Sequence, residues 1–69
     1  MQEQYIKRAD GFILGIIETK ENGVQIARMF DSRLIVGFYY KNRNVTTDFS
    51  GKIISQGNSV VSLIYQNLK

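Results

Sequence analysis

The chain has no cysteine and no histidine, which removes disulfides as a support and leaves almost no means of building a zinc site. The same two absences take away the commonest general base, the best soft-metal ligand and the most reactive nucleophile. No glycine-rich loop runs into Lys and Ser or Thr, no Gly-x-Ser-x-Gly elbow occurs, and no carboxylates are closely paired. Asp10, Asp31 and Asp48 recur near expected bends, where an Asp side chain stabilises the turn itself, so they are read as turn formers rather than cation ligands. The expectation is a protein that is not an enzyme and uses no cofactor or metal.

Long apolar runs are also missing, none approaching the ~18 residues of a membrane span. Residues 1–8, Met-Gln-Glu-Gln-Tyr-Ile-Lys-Arg, are too polar for a secretory signal. A soluble protein without membrane contact is expected, with the cytoplasm as its compartment. Sixty-nine residues form a single small β domain, 1–69, whose core contributes only about 3–5 kcal/mol of net stability. Association with another chain is the remaining source of support.

Short runs rich in Ile, Val, Phe and Tyr alternate with Gly, Asn, Asp and Ser, the pattern of strands and tight turns. Strands are expected near Gln4–Arg8, Phe12–Thr19, Val24–Phe30, Arg33–Lys41, Asn44–Phe49 and Lys52–Gln56. Every link is too short for a parallel crossover, so the fold class is mainly β, an antiparallel meander forming a twisted sheet or small barrel. Asn22-Gly23 predicts a type I′ turn, with a similar turn at Asp10-Gly11. Asp48-Phe49-Ser50-Gly51 predicts a type I turn, and Asp31–Arg33 and Lys41–Asn44 the other bends. No proline interrupts the pattern. Val60, Val61, Leu63, Ile64 and Leu68 follow helical spacing, which predicts a closing helix capped by Asn58 or Ser59. The β-branched Val60 and Val61 make a last strand the alternative.

Gly11-Phe12-Ile13-Leu14-Gly15, Arg33-Leu34-Ile35-Val36-Gly37 and Lys52-Ile53-Ile54-Ser55-Gln56-Gly57 superpose as a hairpin repeat, spaced by 22 and then about 20 residues. The stretch Asn44–Ile54 resembles the Asn-x-Thr-x-Asp-x-x-Gly-Arg-Leu pattern of YD-repeat (Rhs-type) β proteins. With Gly57-Asn58 and the apolar tail, it also resembles short bacterial proteins carrying such a motif. Lys52 stands where those repeats carry Arg. The resemblance implies twisted hairpins without catalytic residues.

The second and fourth strands are apolar on both faces, so both faces need cover, and a helix shields only one. A homodimer, joined through the face bearing Ile13, Ile17, Ile35 and Tyr39, is the expected solution; a curled barrel enclosing its own interior is the rival. Net charge is +3 and uneven, −1 over residues 1–32 and +4 over residues 33–69. Aromatics and bases interleave at Phe38–Asn44, where Tyr39 could stack on a base while Lys41, Arg43 and Lys52 hold phosphates. The expected function is therefore a protein-interaction or self-assembly module, with a small nucleic-acid binder as the alternative.

Overall fold

A computed structural model describes residues 2–67. Six strands form one antiparallel sheet in sequential order: β1 (Gln2–Lys7), β2 (Ile13–Thr19), β3 (Gln25–Met29), β4 (Ile35–Tyr40), β5 (Val45–Asp48) and β6 (Ile53–Gln56). A single helix, α1 (Val60–Gln66), follows. The mainly β meander expected from the sequence is the fold, and its sheet is open, with β1 and β6 at the edges. The closing segment is a helix rather than a strand. Leu68, placed on its apolar face by spacing, lies outside the described residues.

The turn at Asn22-Gly23 is not type I′. The Gly23 N–H donates to the Lys20 carbonyl at 3.0 Å and the Lys20 N–H to the Val24 carbonyl at 2.9 Å. Only Gly23 has positive φ, at 87°, so a type I turn is followed by a left-handed glycine in a three-residue loop. Asn22 keeps negative φ and uses its side chain instead, its Oδ1 accepting the Val24 N–H at 3.1 Å. Arg8–Phe12 and Asp48–Lys52 repeat this hydrogen-bond pattern, the latter as expected.

The hairpin repeat is structural, with one change of alignment. Gly11, Arg33 and Gly51 all have positive φ, and three residues after each an extra residue, Leu14, Val36 or Ile54, sits unpaired in the ladder. Gly51, not Lys52, is thus the counterpart of Gly11 and Arg33, and Ser55, not Gly57, is the counterpart of Gly15 and Gly37. The repeat spacings are 22 and 18 residues. Each extra residue is a β-bulge, which bends its strand and increases the local twist.

The bulges also decide which side chains share a face. Gly15, Ala27 and Gly37 fall in adjoining positions on one face and form a lane of small residues. Onto it α1 packs Val60, Leu63 and Ile64, closing a core with Ile6, Leu14, Ile17 and Ala27. A Cβ on Gly15 would lie 2.7 Å from Ile64 Cδ1, and one on Gly37 would collide with Leu63 Cδ1 and the Thr47 carbonyl. Polar bonds fasten the start of the helix: the Ser59 N–H donates to Thr46 Oγ1 at 3.0 Å, and that hydroxyl donates to the Gly57 carbonyl at 2.6 Å. Ser59 occupies the N-cap without a side-chain capping bond, and Asn58 Oδ1 accepts the Val60 N–H at 3.3 Å instead.

On the opposite face, Ile16, Ile26, Val45 and Thr47 are buried although no helix covers them. The Glu18–Arg28 ion pair crosses this face beside Ile16 and Ile26. Core positions on both faces of the sheet are therefore buried within one chain.

Gly37→Ala is expected to destabilise the protein by about 2 kcal/mol or more in urea unfolding, because backbone and helix both block the added methyl. Gly11→Ala meets nothing within 4 Å and is expected to cost only about 1 kcal/mol, for its left-handed backbone.

Candidate interaction surface

The four residues expected to form a dimer face do not share one. Ile17 is 2% exposed beneath α1, and Tyr39 packs against the same core with its hydroxyl donating to Asn44 Oδ1 at 2.8 Å. Ile35 pairs with Arg28 on the other face, because the bulge at Val36 displaces it by one position. Ile13 is half-buried at the start of β2. Of the apolar residues in β2 and β4 that suggested a partner, Leu14, Ile16 and Ile17 are buried and Ile13, Ile35, Val36, Phe38 and Tyr39 are half-buried.

The basic set is also divided. Lys41 and Arg43 sit in the turn between β4 and β5, where the Arg43 guanidinium lies 5.1 Å from the Tyr40 ring centroid. Lys52 lies beyond the other end of β5, roughly 13 Å away along a four-residue strand at 3.3 Å per residue. Tyr39 is half-buried against the core and its hydroxyl donates to Asn44 Oδ1.

Exposed apolar side chains gather elsewhere. The hairpin turns between β1 and β2, β3 and β4, and β5 and β6 lie at one end of the sheet. This end carries Phe49 (73% exposed), Leu34 (66%), Ile53 (53%) and Phe12 (51%). The turns at the opposite end, Lys20–Val24 and Lys41–Asn44, bear Lys20, Glu21, Asn22, Lys41, Asn42 and Arg43 and no exposed large apolar residue. The two sets of turns thus differ in character, while Tyr5 on β1 and Val61 and Tyr65 on α1 are exposed outside them.

Phe12 and Leu34 occupy equivalent places in the first two repeats, each directly after the positive-φ residue. Between them lies a groove of about 410 Å³, floored by Leu14, Met29 and Val36 and rimmed by Asp31 and Asn67. Arg8 lies 4.9 Å from the Phe12 ring centroid and binds Asp10 at 2.8 Å, while Arg33 lies 5.5 Å from that of Phe30. Sequence reading placed Phe12 and Leu34 in strands and overlooked their exposure. The available signal was Phe49, since a side chain in the middle of a turn projects beyond the sheet.

Asp10 and Asp48 at this end are engaged by their turns. Asp48 Oδ1 accepts from the Ser50 hydroxyl at 2.6 Å and from the backbone N–H groups of Ser50 and Lys52, each at 3.0 Å. The Ser50 hydroxyl first, and then the Lys52 N–H, hold its carboxyl below the ordinary value of 3.8. Asp10 is lowered likewise, chiefly by the Arg8 side chain and then by the Phe12 N–H.

A carboxyl depressed by folding adds stability that is complete above the unfolded pKa and lost as pH falls through the folded one. Asp48→Asn is therefore expected to flatten the acid limb of the stability curve below about pH 4, the ordinary carboxylate range. Urea midpoints between neutral and strongly acidic pH would measure it, and an unchanged slope would show that these turn bonds do not bias the carboxylate.

Comparison with protein-family models, curated proteins and solved structures finds no match.

Proposed function

We propose that the protein is a non-catalytic assembly module whose copies associate as a two-fold dimer through the apolar loop end. The carrying observation is that Phe49, Leu34, Ile53 and Phe12, all more than half exposed, project from one end of the sheet. At roughly 200 Å² per large side chain they present about 500 Å² of apolar surface. Stable interfaces bury about 800 Å² per partner, somewhat more than half of it apolar, so a contact that buries half of this surface is a small one.

Burying half of that apolar surface on each copy is worth about 12 kcal/mol at ~25 cal/mol per Å². This is comparable with association costs of about 4–15 kcal/mol, so a reversible dimer is the expected outcome. The charges are mixed at this end: Lys7, Arg8, Arg33 and Lys52 stand with Asp10, Asp31 and Asp48, so each copy brings an excess of only one positive charge. A phosphate backbone would need a continuous basic track, and the division between Lys41/Arg43 and Lys52 favours the assembly reading.

Sedimentation across a dilution series is expected to show a concentration-dependent dimer little affected by salt. Leu34→Asp should shift it to monomer without lowering the unfolding midpoint, because Leu34 is mostly outside the core. A wild-type protein that stays monomeric at every concentration sinks the proposal. Salt-sensitive oligonucleotide binding would replace it with the nucleic-acid reading.

A further inference from the structure

Resting on that reading, we infer that the groove between Phe12 and Leu34 receives the Phe49 ring of a second copy, each protomer of the dimer giving one ring and accepting one. The repeat itself points to this arrangement. In the first two repeats the residue after the positive-φ position is a large apolar wall, Phe12 or Leu34; in the third it is Lys52. The matching turns Arg8–Phe12 and Asp48–Lys52 place Phe49 where the first repeat has Ala9. The third repeat thus lacks a wall and carries a plug.

Receptor and plug lie at the same end of the sheet, separated laterally, as a two-fold axis between them requires. The groove, at about 410 Å³ and with an apolar floor of Leu14, Met29 and Val36, has room for one aromatic ring. Phe12 and Phe30 each have an arginine over the ring, whereas among the described residues no cation is found over Phe49, which is 73% exposed. Charge agrees with the docking. Lys52, in the turn that carries Phe49, would arrive beside the rim where Asp31 stands.

Phe49→Ser leaves the monomer core intact, and its dimer Kd is expected to rise by about 100-fold or more, as for loss of an interface hot spot made twice per dimer. Mixing it with Leu34→Asp tests reciprocity, since the first protein keeps its groove and the second keeps its ring. The mixture should associate about 10-fold more tightly than either variant alone, one plugged groove being restored. A wild-type dimer that dissociates with Leu34→Asp but keeps its affinity with Phe49→Ser overturns this inference while leaving the assembly reading in place. A monomeric wild type overturns both.

Discussion

The close approach of α1 to the sheet is the constraint on which the rest of the structure depends. A seven-residue helix with two adjacent valines is far shorter than the ~12–15 residues that hold helical structure in water, so its stability comes from packing. That packing exists because Gly15, Ala27 and Gly37 leave room for Ile64 and Leu63 to rest almost on the backbone. Thr46 and Ser59 then fix the helix entry with bonds that satisfy buried polar atoms. The helix and the small-residue lane pack as one unit.

Repeated bulges impose the second constraint. Each adds one residue to β2, β4 or β6 near the same end of the sheet, and each turns the following side chains to the other face. Ile16, Ile26 and Val45 are buried on the face away from the helix. With these positions covered within one chain, the proposed association surface is the loop end rather than the sheet face. Part of the apolar area in the central strands is already enclosed, and among the exposed apolar residues Phe12, Leu34 and Phe49 stand in or beside the turns at one end.

Much of the fold was legible because its signals are local. Six runs of β-branched and aromatic residues, separated by Asp-Gly, Asn-Gly and Asp-x-x-Gly, located all six strands to within a few residues. The turn at Asp48–Gly51 was readable in detail because its Asp and Gly have fixed places in such a turn. Ile35 shows where this reading stops. Alternation along an unbroken strand sets it beside Tyr39 and Ile17, and one unpaired Val36 sends it to the opposite face. Phe12 and Leu34 show the same limit, since strand composition does not say how far a residue stands from the next strand.

Composition, turn chemistry and side-chain period by themselves determined a mainly β antiparallel meander, because its strands and turns are settled by neighbours a few residues apart, and they left the closing segment open between helix and strand. Tertiary structure alone decided which side chains share a face, where the helix rests, and that apolar surface is left at one end of the strands. Those outcomes depend on single-residue offsets between paired strands, and an offset is a property of two segments brought together rather than of either one.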